Sequence, residues 1–171
     1  MRKVKFTYSP VGGDRRHYLT EEDVRVVLSR LPVEAWSGLR KVHFNDWGRN
    51  RRLAYANPRG HEIAICALPP RLSMTRALVR GQSPELFGAV RGKQWPELAV
   101  RRFLLYDVLL HELGHLRMQI LNRTSGRRIH SRETRAEQFA DYWRERLWSE
   151  RLDHPDPVHN PPSPAESSTL S

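Results

Sequence analysis

Two histidines and a glutamate lie close together in the run HELGH, as His111, Glu112 and His115. In a helix, residues i and i+4 lie on one face a turn apart, so both imidazoles can bind one zinc ion through neutral ring nitrogens. Glu112 lies off that face, within reach of a water molecule on the metal. Zinc lowers the pKa of such a water, and a carboxylate can accept its proton as the water attacks a carbonyl. The spacing therefore predicts hydrolytic chemistry at a zinc site that needs a third protein ligand.

The residues around this motif predict one long helix over about residues 96–121. Pro96 and Glu97 are favourable in a first helical turn, and no proline follows within the segment. Apolar residues recur at helical spacing, at Val100, Phe103, Leu104, Leu110 and Met118. Such a helix would be about 40 Å long and would cross the core. Gly114 costs about 1 kcal/mol relative to alanine in a helix, and the compensation we expect is close approach by another backbone.

A second helix is predicted to begin near Ser131, after a polar, glycine-containing loop at residues 123–128. Glu133, Glu137 and Asp141 are spaced four apart, so their carboxylates lie on one side of this helix. Two carboxylates a turn apart suit a metal ligand and a group that orients a ligand. A solvated acidic face paired with neighbouring arginines is the alternative interpretation.

Together these motifs resemble the small single-domain members of the gluzincin type of zinc metallopeptidase. Their pattern is HExxH followed by Glu-x-x-Ala-(Asp/Glu/Asn) on a later helix, often continuing to Phe-Ala, and residues 133–140 fit it. The resemblance covers about residues 95–145. It implies a Zn²⁺-dependent hydrolase that cleaves peptide bonds of a peptide or protein substrate. It also implies that His111, His115 and Glu133 bind zinc and that Glu112 is the general base.

A second register of the same pattern leaves the third ligand open. Glu137, Ala140 and Asp141 also satisfy Glu-x-x-Ala-Asp, which would make Glu137 the ligand and Asp141 its support. We prefer Glu133, because Phe139 then falls where the small peptidases carry phenylalanine. In that register Glu137 supports the ligands.

The predicted fold is α+β and zincin-like, with a small, mostly antiparallel sheet packed on the HExxH helix and the third-ligand helix. A helix capped by Thr20 precedes strand-like runs at residues 39–44, 52–56 and 61–68. The turn sequence of residues 57–60 predicts that the last two runs form a hairpin. The resemblance implies that an edge strand, either residues 62–66 or their hairpin partner, pairs with an extended substrate above the zinc. Residues 69–92 are predicted to form loops and a short helix beside the cleft.

Length and composition predict one domain over residues 1–152, followed by a disordered tail rich in proline and serine at residues 153–171. Cys66 is the single cysteine and lies in an apolar run, which predicts a buried strand residue rather than a nucleophile. No signal peptide or membrane span is recognisable, so we expect a cytoplasmic protein without a membrane partner.

The strong positive charge supports a second hypothesis. The formal net charge is +10, and all but four of the 29 basic residues are arginine. A basic surface attracts polyanions, so a nucleic-acid or acidic partner is consistent with this charge. The alternative function is therefore nucleic-acid binding, with a structural or vestigial metal site. Against it, the sequence contains no zinc-finger, helix-turn-helix or aromatic RNA-binding motif.

Overall fold

A computed structural model describes residues 3–121 and 129–169, with the side chains of residues 120, 121, 129, 130 and 167–169 left out. The fold combines a four-stranded sheet with helices packed against it, which confirms the α+β class. The strands are β1 (Lys5–Tyr8), β2 (Lys41–Asn45), β3 (Ala54–Asn57) and β4 (Glu62–Cys66), arranged in the order β1-β2-β4-β3. The loop predicted at residues 123–128 lies outside the described residues.

The sheet is mixed, so the predicted mostly antiparallel arrangement is wrong. β1 pairs in parallel with β2, and β2 pairs in parallel with β4; the β3–β4 pair is antiparallel. The predicted hairpin is this antiparallel pair. β1 has no counterpart among the predicted strands, because it is short and its end residues, Lys5 and Tyr8, are exposed. Without β1, the parallel crossover through the following helix could not be inferred.

Helix α1 (Glu21–Arg30) connects β1 to β2 and begins where the sequence predicts. The Thr20 side chain accepts a hydrogen bond from the Asp23 N–H, and the Asp23 carboxylate accepts one from the Thr20 N–H. This reciprocal cap satisfies two amide groups at the helix start. Val24 and Val27 are fully buried and attach the helix to the core. A short helix, α2 (Val33–Trp36), follows before β2.

The predicted long helix is a continuous helical path containing one irregular turn. It consists of α4 (Glu97–Phe103), a π-helical turn (Leu104–Val108) and α5 (Leu109–Leu121). Within it, the Leu109 N–H donates to the carbonyl of Leu104, five residues earlier. Single π turns inside α-helices are often found at functional sites. Here the turn immediately precedes the HELGH motif.

Three further elements complete the site's surroundings. Helix α3 (Arg76–Val79) and a 3-10 turn (Pro84–Phe87) form within residues 69–92, where loops and one short helix are predicted. Helix α6 (Ile129–Trp148) packs along α5. None of the described helices has both the length and the apolar character that crossing a bilayer requires.

Cys66 is buried at the end of β4, as predicted from its apolar neighbours. Burial raises the pKa of its thiol to about 11. The thiol is therefore protonated at neutral pH, whereas a cysteine nucleophile acts as the thiolate. Its position indicates a packing role.

The carboxy-terminal segment differs from the predicted disordered tail. A 3-10 turn (Pro157–His159) and helix α7 (Pro164–Thr169) follow α6, and both Val158 and His159 are fully buried. The Asp156 carboxylate lies 2.8 Å from Arg101, and the Glu166 carboxylate lies 2.7 Å from Arg102. Amino-acid composition does not reveal this packing, because it does not show which carboxylates pair with the arginines of α4.

Candidate metal centre

The side chains of His111, His115 and Glu133 converge between α5 and α6. The Nε2 atom of His111 lies 3.1 Å from Nε2 of His115 and 3.1 Å from a carboxylate oxygen of Glu133. The Nε2 atom of His115 lies 2.8 Å from the other Glu133 oxygen. Within residues 3–121 and 129–169, these three residues form a group whose donor atoms are close enough to hold one cation. The structure thus brings together the three side chains predicted as ligands.

The spacing of these donor atoms suits a zinc ion. In a tetrahedral site with nitrogen and oxygen ligands about 2.0–2.1 Å from zinc, ligand atoms lie about 3.3 Å apart. The separations of 2.8 and 3.1 Å are a few tenths of an ångström shorter, so small side-chain rotations would be enough. Two imidazoles and a carboxylate also leave the fourth position open, as in catalytic rather than structural zinc sites.

The two histidines are held in the protonation state that a metal requires. His111 is buried, and burial, together with the positive charge of Arg80, lowers the pKa of His111 to about 3. Burial also lowers the pKa of His115. Both rings are therefore neutral near pH 7, and the neutral imidazole is the form that binds a metal.

Gly114 allows α5 and α6 to approach each other closely. A Cβ atom at this position would lie 3.2 Å from the Ala136 Cα and 3.2 Å from the Phe139 side chain. Helix α6 therefore packs directly against the Gly114 backbone, as predicted from a glycine inside a helix. This close packing places Glu133 of α6 opposite the histidines of α5.

We expect Gly114→Val to weaken both folding and zinc binding. The added side chain meets helix backbone at Ala136, which cannot rotate away, and overpacking of this kind costs about 1–3 kcal/mol. Separating the helices also moves Glu133 away from the histidines. Urea unfolding measures the first effect and zinc titration the second. Gly12→Val is the control, because a Cβ atom there meets nothing within 4 Å; equal effects at both positions would contradict the packing argument.

Glu112 is nearly buried between α5 and the sheet. One oxygen of its carboxylate accepts a hydrogen bond from the Ala56 N–H of β3, at 2.9 Å. Burial raises the pKa of Glu112 to about 7, although the positive charges of Arg80 and Arg52 and the Ala56 hydrogen bond oppose the rise. A general base works best when its pKa is near the working pH. Burial thus brings the pKa of this carboxylate close to neutral pH.

A cleft of about 420 Å³ opens beside these residues. It is lined by the metal-site side chains, by β3 and by residues in and next to α3. β3 is the outer strand of the sheet, whereas β4 lies inside it. Two strands are considered as the edge strand that pairs with substrate. β4 (residues 62–66) is therefore not an edge strand, whereas its hairpin partner β3 is.

A buried polar network supports the site from behind. The Asp107 carboxylate contacts Arg80 at 3.0 Å and Arg144 at 2.9 Å, and it accepts a hydrogen bond from Gln82. Asp141 contacts Arg144 at 2.7 Å and also accepts from Gln82. The contacts with Arg80, Gln82 and Arg144 engage both oxygens of the Asp107 carboxylate. Asp141 is engaged in the same network instead of supporting a Glu137 ligand.

We expect Asp107→Asn to be strongly destabilising. Arg144 is 4% exposed, and removing the charge of its buried partner leaves a poorly compensated guanidinium, which costs about 3–5 kcal/mol when no other partner remains. Because Asp141 still contacts Arg144, the lower end of that range is expected for the free energy of unfolding in urea. Asp141→Asn is the control, since Asp141 is 43% exposed and should cost less than about 1 kcal/mol. Equal losses would contradict the assignment of Asp107 as the central anion.

The cleft also contains a residue that the sequence does not identify as part of the site. Arg80 caps the carboxyl end of α3 and lines the cleft, and its positive charge lowers the pKa values of His111, Glu112 and His115. It lies in a segment without a recognisable pattern, so no sequence signal marks it.

Comparisons with protein-family models, with curated proteins and with solved structures give no match to this chain.

Proposed function

We propose that this protein is a zinc-dependent metallopeptidase that hydrolyses peptide bonds. One observation carries the proposal: the donor atoms of His111, His115 and Glu133 lie within 3.1 Å of one another beside the Glu112 carboxylate. This set combines a three-ligand zinc site with a general base. The mixed sheet with β3 at its edge, packed on α5, supports a zincin-like arrangement in which an extended substrate pairs with β3.

The residues have separable roles in this mechanism. His111, His115 and Glu133 would hold the zinc, which supplies Lewis acidity to polarise the substrate carbonyl and to lower the pKa of water. Glu112 accepts the proton from the attacking water at its carboxylate and delivers it to the amine that leaves. The hydrogen bond from Ala56 fixes one Glu112 oxygen, so the carboxylate is oriented before substrate arrives.

Removing the metal tests the proposal. The protein as purified should contain about one zinc ion per chain, and a chelator should abolish cleavage of a complex peptide mixture analysed by mass spectrometry. Adding one equivalent of zinc should restore cleavage, and circular dichroism should show that the fold survives chelation. A closed structural site would instead unfold when the metal is removed. Cleavage that continues without metal would overturn the proposal.

The second candidate function is nucleic-acid binding, and an exposed aromatic residue favours it. Trp47 is 63% exposed and stands directly before an arginine-rich loop that contains Arg49, Arg51 and Arg52. Single-stranded nucleic acids bind to such combinations of a stacking surface and positive charge. This function predicts an affinity that falls steeply with salt and does not change when zinc is removed.

A further inference from the structure

The cleft beside the metal centre is bordered by three arginines. Arg51 and Arg52 directly precede β3, and Arg80 lies at the end of α3. All three line the cleft together with Glu112 and the grouped His111, His115 and Glu133. Positive charge is therefore concentrated where a substrate would lie, in addition to the general basicity of the chain.

Arg51 and Arg52 are available to a ligand. Both are exposed, and in the part of the chain that the structure describes neither forms a salt bridge. The guanidinium of Arg52 lies 5.6 Å from the centre of the Tyr55 ring, which restricts its position without neutralising its charge. A planar guanidinium in this setting suits a carboxylate, which it can bind with two parallel hydrogen bonds.

Arg80 is held in place by its surroundings. Its backbone has φ 53°, a left-handed conformation that costs a non-glycine residue about 1–2 kcal/mol. Its side chain is only 21% exposed and contacts the buried Asp107 carboxylate at 3.0 Å. Such strain persists where the surrounding structure imposes it, and it is frequent in residues that bind ligands. Asp107 also contacts Arg144, so its negative charge is shared between two arginines.

We propose that the cleft selects an extended peptide with a carboxylate close to the bond that is cleaved, and that Arg51, Arg52 and Arg80 recognise this carboxylate. The selectivity rests on the proposed peptidase function. A peptide is favoured over nucleic acid because β3 is the outer strand of the sheet and lines the cleft, where an extended backbone can pair with it. An aspartate or glutamate side chain and a free carboxy-terminus offer the same chemistry.

Peptide binding to the Glu112→Gln protein, with one equivalent of zinc added, tests this selectivity without turnover. Three dansylated octapeptides serve as probes: alternating glycine and glutamate with an amidated end, alternating glycine and glutamine with an amidated end, and the glutamine peptide with a free carboxy-terminus. Alternate residues of an extended chain face the same side, so every shift of the repeat by two residues again places carboxylates on that side. Fluorescence anisotropy at about 0.15 M salt limits long-range attraction.

We expect the glutamate peptide, or the peptide with a free carboxy-terminus, to bind at least about tenfold more tightly than the amidated glutamine peptide. Which of the two binds identifies the source of the carboxylate. Arg51→Gln combined with Arg52→Gln should remove most of the preference, and Arg80→Gln should reduce it further if thermal melting shows that it folds. Arg40→Gln combined with Arg151→Gln is the matched control, because both are exposed arginines outside the cleft.

Three results would overturn the selectivity. They are equal affinity for all three peptides, an equal loss in the control and cleft variants, and tighter binding of an oligothymidylate probe that the cleft variant abolishes. Failure of the proposed peptidase function would be recognised by a different result. In that case zinc is not retained or no peptide is cleaved by the protein with Glu112 intact, while the binding preference is still measured.

Discussion

Glu112→Gln is expected to retain one zinc ion per chain and to lower kcat by about a hundredfold to ten-thousandfold, the usual contribution of a general base. The amide has nearly the size of the carboxylate but cannot accept the proton of the attacking water. Because Glu112 is not among the three grouped ligands, the metal should remain bound. The substitution thus separates catalysis from metal binding.

Zinc content and cleavage of the peptide mixture should be measured on the same protein samples. Glu145→Gln on the exposed side of α6 is the matched control, because it makes the same chemical change outside the cleft. Its activity should equal that of the unchanged protein. Undiminished cleavage by the Glu112 variant would refute water activation by this carboxylate, even if zinc is present.

Glu133→Gln is expected to weaken zinc binding by about a hundredfold or more, since loss of groups that merely orient ligands already costs 10–100-fold. The Glu133 carboxylate touches both histidines, with one oxygen on each ring. Glu137 is half-buried one turn further along α6 and is not part of the group that could hold a cation. Glu137→Gln should therefore reduce zinc affinity much less.

Competition with a chromophoric chelator at neutral pH would measure both affinities. The pair of variants also distinguishes the two registers of the Glu-x-x-Ala pattern, since each predicts the larger loss at a different residue. A larger loss in the Glu137 variant would make Glu137 the ligand. Equal small losses would mean that neither carboxylate binds the metal.

The local elements of the site could be predicted from sequence because each depends on neighbouring residues. The spacing of His111 and His115 places both rings on one helical face, and Gly114 indicated the helix contact that the structure contains. The Thr20 cap and the hairpin between β3 and β4 have similarly local signals. In each case the interacting groups are separated by only a few residues or by one short turn.

Features that depend on distant contacts could not be predicted in the same way. The parallel pairing of β1 with β2 joins residues on either side of α1, and alternating side chains do not reveal strand direction. Arg80 reaches the cleft because Asp107 binds it from another helix. The carboxy-terminal segment contacts α4 through pairs such as Glu166 with Arg102, which low hydropathy does not exclude. Two of these three features therefore depend on charge pairs between residues far apart in the chain.

The π turn at Leu104–Val108 has a consequence for changes in chain length. A π turn accommodates one residue more than the α path between the same ends, so a deletion there would restore regular geometry and leave α4 and α5 in phase. A deletion between His111 and His115 would instead rotate one ring by about 100° relative to the other. A change in chain length just before the histidines is therefore compatible with an intact candidate metal centre. A change in length between the two histidines is not.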